Sequence, residues 1–71
     1  MKVGKFYKHE KCRDLAIEVI DFDYESELGV YYMKFAMWNT SPHLFPLNII
    51  DSSYFSKKQL DEYKELKEVK K

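Results

Sequence analysis

Over residues 17–25 the sequence alternates apolar and polar side chains with a single change of phase, and that period of two commits the segment to a β-strand. Leu15, Ile17 and Val19 share one strand face, with Ala16 and Glu18 on the other. At Ile20 the phase changes: Ile20, Phe22 and Tyr24 are apolar and Asp21, Asp23 and Glu25 alternate with them. A phase change inside one strand predicts a bulge or a sharp bend, because successive side chains point to opposite faces. Residues 25–29 end on Gly29 and read as a hairpin loop. On the returning strand Tyr31, Met33, Phe35 and Met37 form one face, and Tyr32, Lys34, Ala36 and Trp38 the other. Matching the core faces sets Ile17 opposite Met37 and Val19 opposite Phe35. The second face then collects Phe22, Ile20 and Glu18 against Tyr32, Lys34 and Ala36.

The flanks supply shorter elements. Gly4 precedes a short strand at Lys5, Phe6 and Tyr7, and residues 8–14 form a polar loop. Pro42 closes a break after the long hairpin. A fourth strand follows over residues 44–50, where Pro46 calls for a sheet edge or a bulge. Ser56 and Gln59 have the spacing of a capping box, and Phe55 and Leu60 that of a hydrophobic staple. These signals predict a helix over residues 56–69, capped by Ser56, whose Leu60, Tyr63 and Leu66 stripe docks on the sheet. The expected architecture is a β-rich α+β fold. It is a small barrel or strongly bent antiparallel sheet of four to five strands over residues 3–50, with one C-terminal helix, in a single domain spanning 1–71.

A chain of 71 residues buries about 60% of the surface its unfolded form exposes, so its core is small. Aromatic residues at 17% compensate, since each buries a large area. Cys12 is the only cysteine, which excludes an intrachain disulfide and suits a reducing compartment. No apolar run follows Met1 and Lys2, so no signal peptide is expected, and no stretch has the length of a membrane span. A cytoplasmic protein that needs no cofactor is the expectation.

Gly4 with Phe6 and Tyr7, the Ile17-Glu18-Val19 run, Gly29, and Trp38-Asn39 give residues 3–50 a pattern that resembles the SH3-like small barrels, the superfold of chromo, Tudor and KOW modules. The resemblance lies at the level of fold. It implies recognition of peptides or nucleic acids rather than catalysis. The small size and the richness in lysine and tyrosine also resemble accessory proteins of bacteriophages and mobile elements.

Three constellations suggest binding. Phe22, Tyr32 and Trp38 make the second sheet face too apolar for solvent, so either the helix stripe covers it or a protein partner or second copy does. Lys5, Lys8, Lys11 and Arg13, interleaved with Phe6 and Tyr7 and joined by Lys57 and Lys58, suit the phosphates and bases of a nucleic acid. Asp21, Asp23, Glu25 and Glu27 alternate and, if the strand continues, all point the same way, a row able to imitate a nucleic-acid backbone. For chemistry the material is thin. His9, Cys12, Asp14 and His43 include only one thiol and two imidazoles, short of the usual structural zinc set. Neither a glycine-rich phosphate loop nor a nucleophile motif is present. A non-enzymatic protein-binding module, self-associating in one version, is the leading expectation; nucleic-acid binding and acidic mimicry are the alternatives.

Overall fold

The computed structural model describes residues 1–67. Five strands and one helical turn follow in order: β1 (Phe6–His9), β2 (Leu15–Glu25), β3 (Val30–Asn39), β4 (Phe45–Phe55), α1 (Lys57–Leu60) and β5 (Tyr63–Glu65). They form one antiparallel sheet in the order β4-β3-β2-β1-β5. Within the described residues no helix is long and apolar enough to cross a membrane.

The alternation sets the register. Ile17 pairs with Met37 and Val19 with Phe35, and the ladder slips between Val19 and Asp21, at the phase change. The extra residue at Ile20 reverses the facing of everything beyond it. Phe22 therefore pairs with Met33 and Tyr24 with Tyr31, on the face that holds Ile17 and Val19. This corrects the expected second face: Phe22 packs on the core, and its ring stacks on Tyr31 at 5.4 Å. Tyr32 and Trp38 stay on the opposite face, paired with Asp23 and Ala16. The four-residue turn 26–29 closes the hairpin. Leu28 and Gly29 N–H both donate to the Glu25 carbonyl, and Gly29 takes the left-handed φ of 66° that such a return requires.

The main core cluster is Tyr7, Ile17, Val19 and Met33, with Met33 wholly buried, and Phe6 and Ala16 are buried on the opposite face. Met1, Phe22, Phe35, Phe55, Leu60 and Tyr63 pack around it. Trp38 covers part of the second face. Its ring meets Phe6 edge-on at 5.2 Å, and its indole N–H donates to Glu18 Oε1 at 3.1 Å.

The helix begins as expected and then stops. Ser56 Oγ accepts from the Gln59 N–H at 3.2 Å, and Gln59 Oε1 accepts from the Ser56 N–H at 2.9 Å, so both halves of the capping box are made. After Leu60 the chain turns and enters β5, which pairs with β1 from Tyr7–Glu65 to His9–Tyr63. The expected helix over 56–69 is thus corrected to one turn, and residues 68–69 of it lie outside the described residues. A lone helix of that length is marginal in water, whereas the free edge of β1 supplies backbone partners. Flanking bonds extend the pairing: Glu10 N–H donates to the Glu62 carbonyl, and Leu66 N–H to the Phe6 carbonyl. Leu60 and Tyr63 consequently pack on the core face and leave the second face uncovered by α1.

The barrel expectation is corrected as well. The strand order leaves β4 and β5 at opposite edges with no ladder between them, so the sheet is open. It curls enough for the edges to touch through side chains: Phe55 of β4 meets Tyr63 of β5 edge-on at 6.1 Å. Phe35 on one side and His9 on the other extend this into a row of rings across the core face.

Candidate functional site

An open sheet must deal with its unpaired backbone groups, and here, besides the short outer side of β5, two longer stretches among the described residues have no neighbouring strand on one side. The first is the outer half of β2. Its pairing toward the N-terminal segment ends at Val19, which exchanges backbone bonds with Gly4 and Lys5. Beyond it, the Phe22 N–H donates to Asp21 Oδ1 and the Tyr24 N–H to Asp23 Oδ1, each at 2.9 Å. The acidic row thus turns two of its carboxylates onto its own strand. Asp21, Asp23 and Glu25 do share a face, opposite Lys34, Tyr32 and Val30, while Glu27 lies in the turn.

The second stretch is the outer side of β4. The strand is offset against β3 between Met37 and Trp38, where Leu47 and Asn48 drop out of the ladder. Asn48 takes a φ of 56°, a left-handed conformation that asparagine tolerates better than most residues. Pro46, with no N–H, sits beside this bulge on the edge strand, where the sequence placed it. From Ile49 to Phe55 the strand is regular, each residue paired to β3. Ser52 N–H donates to Asp51 Oδ1 at 2.8 Å, which turns it away from β3. Amide direction alternates along a strand, so the N–H groups of Ile50 and Tyr54 point outward with it. Among the described residues no side chain accepts from either. Exposure is high: Ile49 48%, Ile50 62% and Tyr54 56%.

Of the expected aromatic interface, only Tyr32 adjoins this edge, with its ring 5.7 Å from that of Tyr54. Trp38 is half-buried against Phe6, and Phe22 is on the core face. The signal that would have found the edge was present in the run Ile49-Ile50-Asp51-Ser52-Ser53-Tyr54-Phe55, with one charge in seven residues.

The basic residues divide between two places. Lys8 of β1 lies directly opposite Lys64 of β5, and both line a groove of about 210 Å³ with Arg13, Cys12 and Leu66. Lys57 borders a separate cleft of about 420 Å³ with Lys2, Phe22, Tyr31 and Tyr63. Lys5, Lys11 and Lys58 are exposed.

His9 is held on three sides. Its Nδ1 accepts from the Lys11 N–H at 3.1 Å, so in the neutral ring the proton sits on Nε2, 3.6 Å from Glu62 Oε1. Its ring meets Tyr63 edge-on at 5.0 Å. Burial raises the Tyr63 hydroxyl above its ordinary value of 10.0, and the charges of Cys12 and Glu62 add to the effect. Cys12 is an exposed free thiol. Among the described residues no group of three or more His, Cys, Asp or Glu is placed to hold a metal ion.

No protein-family model, curated protein or solved structure matches this chain.

Proposed function

We propose that the chain is a non-enzymatic protein-binding module that works by strand addition to the outer edge of β4. One observation carries the reading. A regular seven-residue edge presents outward amides and exposed Ile49, Ile50 and Tyr54, with a single carboxylate in the way. A partner strand would gain ladder hydrogen bonds from the backbone and apolar contacts on both faces. The SH3-like character belongs to the same proposal; the long bent β2–β3 hairpin and the short β1 support it.

The test is capture from a cell lysate with wild type and with Ser52→Pro. Proline removes the outward amide at position 52 and leaves the β3 side of the edge strand usable. A partner held by wild type and lost with Ser52→Pro supports edge docking. A partner held equally by both refutes it.

A second reading, nucleic-acid binding, draws on the Lys8 and Lys64 pair beside Arg13. Like charges set directly opposite in a sheet disfavour the pairing, and an anion between them would remove that cost. Titration with single- and double-stranded DNA and RNA should then show affinity that falls steeply with salt and is weakened by Lys8→Ala and Arg13→Ala. Binding to none of them at low salt refutes this reading.

A further inference from the structure

The edge of β4 is complementary to itself. We infer that its occupant is a second copy of this chain, paired antiparallel across a two-fold axis at Ser52 to give a continuous ten-stranded sheet. The inference rests on the reading of β4 as a docking edge and adds the partner and the register.

A two-fold axis through an antiparallel pair sets residue i opposite j with a constant sum, and both must lie on one face. Few registers within the regular segment meet that condition. An axis at Asp51 opposes two carboxylates. An axis at Ile50 brings Ser52 against Asn48 of the bulge and Tyr54 against Pro46, which has no N–H. An axis at Ser53 sets Asp51 against Phe55. With the axis at Ser52, Ile50 faces Tyr54 and Tyr54 faces Ile50, an aromatic and β-branched pair made twice. On the other face Ile49 meets Phe55, and each Asp51 meets a Ser53. All the outward amides then face one another, and neither Pro46 nor Asn48 is used.

The competing group is internal. The Asp51 carboxylate occupies the Ser52 N–H at the centre of this seam, and it must rotate away for the central rung to form. Growth stops at two chains, because the edges that remain are the outer half of β2, where Asp21 and Asp23 accept from the Phe22 and Tyr24 amides, and β5, three residues long with Lys64 and Glu65 exposed.

Sedimentation of the full chain from micromolar to near-millimolar concentration tests the proposal. Wild type should pass from monomer to dimer. Ile50→Lys and Tyr54→Glu each remove an apolar pair twice over and should weaken dimerisation about tenfold or more. Combined in one chain, the two substitutions set the new cation opposite the new carboxylate in this register alone, and dimerisation should recover at low salt. Both positions are exposed, and unchanged circular dichroism and melting check that the variants fold. Asp51→Ala should tighten the dimer. A chain that stays monomeric throughout overturns self-pairing; edge docking would still be judged by Ser52→Pro in the lysate experiment. A dimer indifferent to Ile50→Lys assigns another surface, and a combined variant no better than either single one overturns the register.

Discussion

The outer half of β2 and the outer side of β4 are both unpaired edges of one sheet, yet the chain treats them differently. On β2, aspartates precede Phe22 and Tyr24 and cap both amides, so a visiting strand meets carboxylates where it needs donors. On β4, one aspartate caps the middle amide and isoleucine and tyrosine stand exposed on either side. The two edges thus differ in which residue precedes each outward amide, and so in how many of those amides a carboxylate already holds. The acidic row becomes legible in those terms: Asp21 and Asp23 guard an edge.

The contrast can be broken experimentally. The largest effect should come from Met33→Ala, beneath the hairpin arm opposite Phe22. Loss of a wholly buried side chain should cost about 2–5 kcal/mol in denaturant unfolding. Association measured where the variant is folded should not change, which would separate core from edge. Next in size is Ser56→Ala. Loss of the cap oxygen should cost about 0.5–2 kcal/mol, because it loosens the turn that delivers Leu60 and Tyr63 to the core. Coincident denaturation midpoints would show that α1 does not hold them. Asp21→Ala with Asp23→Ala should barely change stability but should make the β2 edge adhesive, seen as new concentration-dependent species in sedimentation; none would mean that the capped amides are not what keeps that edge single.

The smallest effect is at high pH. Burial favours the neutral form of Tyr63 in the folded protein, so the folded state holds its proton more tightly than the unfolded chain. Stability from this source is complete below pH 10.0, the ordinary tyrosine value, and is lost as pH rises through the higher folded value. Thermal melts above that pH should therefore fall less steeply for Tyr63→Phe than for wild type.

Much of the hairpin could be read from the sequence because its cause is local. The phase change at Ile20 announced the bulge, and the pairings of Ile17 with Met37 and Val19 with Phe35 follow from matching apolar faces. The consequence for Phe22 was harder to see, because a bulge transfers every residue beyond it to the other face. The capping box of Ser56 and Gln59 was written in four residues. What ended the helix was not: the lysine- and glutamate-rich run after Leu60 favours a helix by propensity, and the competitor was the edge of β1, more than fifty residues away in the chain. Pro46 signalled an edge or a bulge in the fourth strand, but the open stretch from Ile49 to Phe55 stayed hidden, since its outer side is unpaired only through strand order.

The contact between Phe55 and Tyr63 has a thermal consequence. The two margins of the sheet are joined there by rings, without backbone bonds. Apolar contact weakens on cooling. Ladder hydrogen bonds do not depend on that driving force. Chilling should therefore loosen this seam before any strand pairing, and warmth toward the ordinary working range should tighten it. The joint between the two margins is in this respect a cold-sensitive clasp.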